Sequence, residues 1–70
     1  MEELIKKHTE TQELMDKTLM EIGLKYSHYT VTQDKSLVDK INEKVELFQK
    51  LEAQLQIIEK KIFILLVKNN

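Results

Sequence analysis

The stretch SHYTVTQ, residues 27–33, followed by DKSLVD, residues 34–39, divides a chain that otherwise favours helix along its length. The first segment concentrates β-branched and aromatic residues, which are weak helix formers, and its length suits a loop between helices. In the second, Asp34 is a suitable helix N-cap, and Ser36 with Asp39 has the form of a capping box. The sequence therefore predicts a loop over 27–33 and a helix that restarts directly after it.

Little else interrupts helix, because proline is absent and Gly23 is the single glycine. Helix 1 is predicted over about residues 2–26. Gly23 could end it, but the Glu21–Lys25 pair, at the favourable i,i+4 spacing, favours continuation.

Helix 2 is predicted over about residues 35–67, and residues 1–70 are long enough for one domain only. We therefore expect an all-α fold, an antiparallel two-helix hairpin that completes a bundle with a partner or with a second copy.

Apolar residues recur in steps of three and four, which predicts the faces along which the two helices pack. On helix 1 the predicted face consists of Ile5, His8, Gln12, Met15, Leu19, Ile22 and Tyr26. On helix 2 it consists of Val38, Ile41, Val45, Phe48, Leu51, Leu55, Ile58, Ile62 and Leu65. Two consecutive steps of three meet at Phe48, so a local disturbance of coiled-coil packing is expected there.

Two features of these faces have alternative interpretations. His8 interrupts an apolar row, and we interpret it as a polar residue that sets the register of the helices. The alternatives are a pH-sensitive switch and a partner-specific hydrogen bond. Tyr26, Tyr29 and Phe48 are predicted to close the core at the tip of the hairpin, with a recognition cluster as the alternative.

Composition excludes several classes of function. The net charge is −1 and arginine is absent, which argues against a nucleic-acid binder. Cysteine is absent, so disulfides and thiolate metal sites cannot form, and the longest apolar run, residues 62–67, is too short to span a bilayer. The acidic start of the chain does not have the pattern of a signal peptide. We expect a cytoplasmic protein.

No arrangement of residues in the sequence is typical of catalysis. A Glu-x-x-His pair for a metal in a bundle is missing, and one glycine cannot form a phosphate-binding loop. The serines, Ser27 and Ser36, lie in the predicted loop and at the predicted cap. We therefore predict a non-enzymatic protein with no catalytic residue, no cofactor, no metal and no small-molecule substrate.

The end of helix 2 predicts a binding surface. Around residues 57–67 it is apolar on nearly every side, and one neighbouring helix cannot cover all of these side chains. We expect a helical surface of another protein, or of a second copy, to cover them. The predicted partner-binding residues are Leu55, Ile58, Ile62, Phe63, Leu65 and Leu66.

The layout of two helices, together with the stretch FQKLEAQLQII at residues 48–58 and its continuation to Leu66, resembles the YscE family. These proteins are small cytoplasmic co-chaperones of bacterial type III secretion needle subunits. The resemblance implies a helical hairpin that joins a helical-repeat co-chaperone and keeps the needle subunit soluble before export.

A second resemblance leads to an alternative function. GLKY at residues 23–26 and SLVD at 36–39 are similar to the small aspartyl-phosphate phosphatases of sporulating bacilli, which are also short helical hairpins. Their motif is Ser-Gln-x-Leu-Asp, whereas here one residue fewer separates Ser36 from Asp39 and the glutamine is missing. A phosphatase of this kind, or a homodimeric four-helix-bundle regulator, is the alternative to a helical adaptor.

Overall fold

The computed structural model describes residues 1–68 and consists of two long helices, α1 over Glu2–Thr32 and α2 over Ser36–Lys68. They pack side by side in opposite directions and form a rod of 55 × 14 × 14 Å. The predicted all-α hairpin is confirmed, and α1 runs through Gly23 as expected.

The predicted loop over 27–33 is wrong, because α1 continues to Thr32. Helix propensity is a weak local preference, and the threonine hydroxyls are satisfied inside the helix. Thr30 Oγ1 donates to the Ser27 carbonyl at 2.7 Å, and Thr32 Oγ1 donates to the His28 carbonyl at 3.0 Å. The weak helix formers therefore extend α1 about two turns beyond its predicted end.

The helix ends at Gln33, whose backbone is left-handed with φ 55° and ψ 30°. Its N–H donates to the Tyr29 carbonyl at 2.6 Å, which is the hydrogen bond of an αL termination motif. Glycine usually occupies this conformation, since a Cβ disfavours it. The sequence offers no glycine here, and the termination was therefore not predicted.

Asp34 caps α2, as predicted. Its Oδ1 accepts a hydrogen bond from the Ser36 N–H at 3.0 Å and another from Ser36 Oγ at 2.8 Å. These two hydrogen bonds, the one from the hydroxyl foremost, lower the pKa of Asp34 below its ordinary value. The Ser36 hydroxyl thus donates back to the cap instead of forming the reciprocal capping box expected with Asp39.

The residues of α2 that face α1 alternate in steps of four and three without interruption, so the predicted disturbance at Phe48 is wrong. The prediction had placed Val38 on this face, whereas the structure leaves Val38 exposed and buries Leu37. Val45, also predicted, is half-buried, as is the neighbouring Lys44, which continues the regular spacing. We call the residues with this regular spacing the α2 ladder, and each of them is buried or half-buried: Leu37, Ile41, Lys44, Phe48, Leu51, Leu55, Ile58, Ile62 and Leu65.

The facing residues of α1 agree with the prediction at His8, Met15 and Ile22 and differ from it elsewhere. Ile5, Leu19 and Tyr26 are exposed, because the helix is turned toward the adjacent row of side chains. The residues that alternate in steps of four and three along this face form the α1 ladder: Leu4, His8, Thr11, Met15, Thr18, Ile22, Lys25 and Tyr29. Gln12, also predicted, and Glu21 are half-buried beside it. Half of the ladder positions hold polar side chains, which apolar periodicity does not detect.

The core lies at the middle of the rod. Met15 of α1 packs with Leu51 and Leu55 of α2, and Phe48 covers this cluster from one end. Phe48 therefore does not join the tyrosines at the tip, and Tyr26 is exposed, so the predicted tip cluster is wrong in both residues. Tyr29 is half-buried. Toward the turn, the Lys44 ammonium lies 2.7 Å from the Glu21 carboxylate across the two helices. Glu21 thus pairs across the hairpin, although the sequence had suggested Lys25 of its own helix.

Candidate partner-binding surface at the open end

The open end of the hairpin, where α1 begins beside the end of α2, carries a shallow groove between the two helices. We call it the open-end groove, and its lining residues are Ile5, His8, Glu59, Ile62, Phe63 and Leu66. Apolar side chains form most of its surface, and one polar pair interrupts them. Such an apolar groove on a small protein is typical of a surface that binds another helix.

The predicted binding residues fall into three groups by exposure. Leu55 is 8% exposed and belongs to the core cluster, so it is not presented to a partner. Ile58, Ile62 and Leu65 lie half-buried on the α2 ladder, and only Ile62 among them lines the open-end groove. Phe63 and Leu66, in contrast, are 66% and 53% exposed. The structure thus brings Ile62, Phe63 and Leu66 together and separates Leu55 from them.

Ile5 is the groove residue that sequence reasoning assigned wrongly. It was placed on the face toward α2, but the neighbouring Leu4 takes that position and leaves Ile5 exposed beside Phe63 and Leu66. Two consecutive apolar residues fit either register of a helix face, and only the pairing of the helices decides between them.

The polar pair of the groove joins the two helices. His8 Nε2 of α1 lies 3.7 Å from Glu59 Oε2 of α2. Gln12, the other polar residue expected near His8, instead donates from Nε2 to Asp16 Oδ1 on its own helix at 3.2 Å. The His8–Glu59 pair is therefore the polar feature that a partner at the open-end groove would meet.

The opposite side of the rod carries a second groove of different chemistry. Its lining includes Lys7, Glu10, Thr11 and Gln54 beside apolar residues such as Leu14. Charged side chains at its edge make it a poorer site for an apolar helix face than the open-end groove, because interface cores are depleted in charge.

No catalytic constellation is evident around the residues that resemble the phosphatase motif. Ser36 is engaged with the capping Asp34, and Asp39 is exposed in the first turn of α2. Within residues 1–68, no group of three His, Asp or Glu side chains is placed to hold a metal ion. Neither described helix combines the length and apolarity needed to span a bilayer.

Comparison with known proteins adds no assignment: no protein-family model, curated protein or solved structure matches this chain.

Proposed function

We propose that the chain is a non-enzymatic helical adaptor that binds a helical surface of another protein through the open-end groove. One observation carries this proposal: Phe63 and Leu66 are more than half exposed, although they lie beside each other in an apolar groove. Exposed apolar clusters of this kind in small proteins usually mark binding sites, and aromatic residues supply much of the binding energy at interfaces.

The geometry suits a helix as the ligand. Phe63 and Leu66 are three residues apart and therefore lie on one face of α2, with Ile5 of α1 forming the other wall. A partner helix lying between these walls would pack its apolar residues on Ile62 at the base of the groove. Such a function needs no reactive group, only a shaped apolar surface.

A finer proposal is that this adaptor is a co-chaperone of a bacterial type III secretion needle subunit and acts in the cytoplasm. It is supported by the resemblance of residues 48–66 to the YscE family and by the exposed apolar end of α2, on which such a role would depend. Purified chain added to a needle subunit is expected to delay its polymerisation, measured by sedimentation. An unchanged polymerisation rate would remove this finer proposal and leave the adaptor proposal in place.

The adaptor proposal is tested by a photo-crosslinking amino acid placed at Phe63 in cells. The matched control is the same amino acid at Met20, which is 67% exposed but lies outside the groove. We expect a discrete adduct with a helical protein at position 63, not at position 20, and its loss when Leu66→Asp is added. Equal adducts at both positions, or none at position 63, would contradict the proposal.

A further inference from the structure

The isolated hairpin exposes more surface than a compact protein of its mass. Its accessible surface is 5758 Å² for 8.3 kDa. The size scaling of folded monomers gives about 4,600 Å² for that mass. The excess of about 1,200 Å² is larger than the roughly 800 Å² that each partner buries in a standard protein interface. A single pair of helices thus leaves enough surface for a stable dimer.

An apolar strip runs along the turn half of α1. Leu19 and Tyr26 are 56% and 59% exposed, and Gly23 lies between them at spacings of four and three residues. These spacings keep all three on one face of the helix. Ile5 of the open-end groove is separated from Leu19 and from Tyr26 by a multiple of seven residues. Paired helices repeat every seven residues, so the strip lies on the same side of the rod as the groove.

A matching strip runs along α2 on that side. Val38 and Val45 are seven residues apart, with Asn42 between them at the same spacings. A multiple of seven residues also separates Leu66 of the open-end groove from each valine, which places both valines on the groove's side of the rod. We call the two rows together the lateral strip, which consists of Leu19, Gly23, Tyr26, Val38, Asn42 and Val45.

The lateral strip contains no charged residue, whereas charged residues hold half of the corresponding positions on the opposite side of the rod. Those positions, on the side of Leu14, are Glu21, Leu24, His28, Lys40, Glu43 and Leu47. Depletion of charge is typical of the centre of an interface.

No contact or backbone conformation within the hairpin requires glycine at position 23. Its φ is not positive, and a Cβ built on it would meet nothing within 4 Å. In the middle of a helix, glycine is destabilising relative to alanine. Its position in the lateral strip has an explanation if another backbone approaches closely there, since only glycine has no side chain to hold the two apart.

We propose that a second copy of this chain packs on the lateral strip, with a two-fold axis at the level of Gly23 and Asn42. Because Glu21 is level with Lys44 in the hairpin, Gly23 is level with Asn42, so one axis serves both helices. Antiparallel packing across it places Leu19 against Tyr26 of the second copy and Val38 against Val45. Asn42 meets its own counterpart, where paired amides can hydrogen-bond and fix the register.

The resulting four-helix bundle involves only the turn half of each rod. About ten residues separate Gly23 from the turn, which corresponds to about 15 Å of helix on each side of the axis. The open-end grooves lie beyond this overlap at the two far ends of the dimer. The proposed dimer is therefore independent of the proposed adaptor function and leaves both grooves free.

Sedimentation equilibrium over a dilution series of the full chain tests the dimer. Gly23→Leu raises helix propensity, and a Cβ at this position has open space in the hairpin. We therefore expect this variant to keep each hairpin folded and to block the close approach. We expect its dimer dissociation constant to rise about 30-fold or more, as for loss of a hot-spot contact. Tyr26→Lys is expected to do the same by placing charge in the strip.

Two controls separate this surface from its neighbours. Leu24→Lys, an exposed position outside the lateral strip, and Phe63→Ser with Leu66→Ser, in the open-end groove, should leave the dissociation constant unchanged within about threefold. A monomeric wild-type chain, an unaffected Gly23→Leu dimer, or dissociation by the groove substitutions would each overturn the proposal. Circular dichroism on the same samples checks that each variant keeps its helices.

Discussion

The two helices contribute unequally to the surface along which they meet. The α2 ladder is apolar at every position except Lys44, whereas the α1 ladder alternates apolar side chains with His8, Thr11, Thr18 and Lys25. Exposed apolar residues of α1, such as Leu19 and Tyr26, lie beside its ladder. The comparison indicates that α2 supplies most of the core of the hairpin, while α1 divides its apolar residues between α2 and other surfaces.

The largest expected effect tests which helix supplies the core. Leu51→Ala empties a position in the cluster with Met15 and Leu55, and we expect it to lower the free energy of unfolding by about 3 kcal/mol. Thr18→Ala on α1 removes a side chain that is equally buried, but its hydroxyl bonds only to the Leu14 carbonyl of the same helix. Its cost should stay below about 1 kcal/mol.

Urea denaturation at one fixed protein concentration, followed by circular dichroism, measures both variants. The control is Ile57→Ala, which shortens an exposed isoleucine of α2 and is expected to change the free energy of unfolding little. Equal losses for Leu51→Ala and Thr18→Ala would contradict the unequal division of the core.

This inequality also explains how far sequence reasoning could reach. The hairpin itself and most of the α2 ladder were predictable, because a nearly continuous apolar row defines a helix face well. The α1 ladder was predicted only in part: His8, Met15 and Ile22 lie on it, whereas Ile5, Leu19 and Tyr26 belong to an apolar row beside it. Polar residues fill half of the ladder, so apolar periodicity does not define it well. Lys44 was missed for the same reason: a charged residue at a ladder position is invisible to a pattern of apolar residues.

The candidate site was predictable in part. The excess of apolar residues near the end of α2 indicated a binding surface, and Ile62, Phe63 and Leu66 do line one groove. The depth of each side chain depends on the register between the helices, which no periodicity within one helix contains. For that reason the predicted binding residues included Leu55, which is buried, and omitted Ile5, which lines the groove.

A smaller effect concerns the place where α1 ends and α2 begins. Gln33→Gly relieves the left-handed conformation that ends α1, and we expect it to raise the free energy of unfolding by about 1 kcal/mol. Gln33→Ala is the control, since alanine keeps the Cβ and gains nothing at φ 55°. Equal stability of the two variants in thermal denaturation would show that Gln33 does not carry this strain.

A smaller effect again should follow when α1 is made more like α2. Thr18→Val keeps the shape of a buried side chain and replaces a hydroxyl that makes its hydrogen bond within α1. Because no group of α2 loses a partner in that bond, we expect a gain of about 0.5 kcal/mol. Thr9→Val is the control, since its exposed hydroxyl bonds to the Ile5 carbonyl in the same way. A destabilised Thr18→Val variant in urea would show that the polar positions of the α1 ladder are needed.

The smallest effect tests Lys44, the exception in the α2 ladder. A hydrogen bond from the Lys44 ammonium lowers the pKa of Glu21 below its ordinary value of 4.5, and the charges of Lys17 and Lys25 act in the same direction. A lowered pKa in the folded state means that the contribution to stability is complete above pH 4.5 and is lost as the pH falls below it.

Glu21→Gln should therefore be less stable than the wild type at neutral pH, by a small margin because the pair is partly exposed. This difference should vanish in acid, whereas Glu13→Gln, an exposed glutamate of the same helix, should show little difference at either pH. If the Glu21→Gln difference persisted unchanged at pH values far below 4.5, the pair with Lys44 would not be its source.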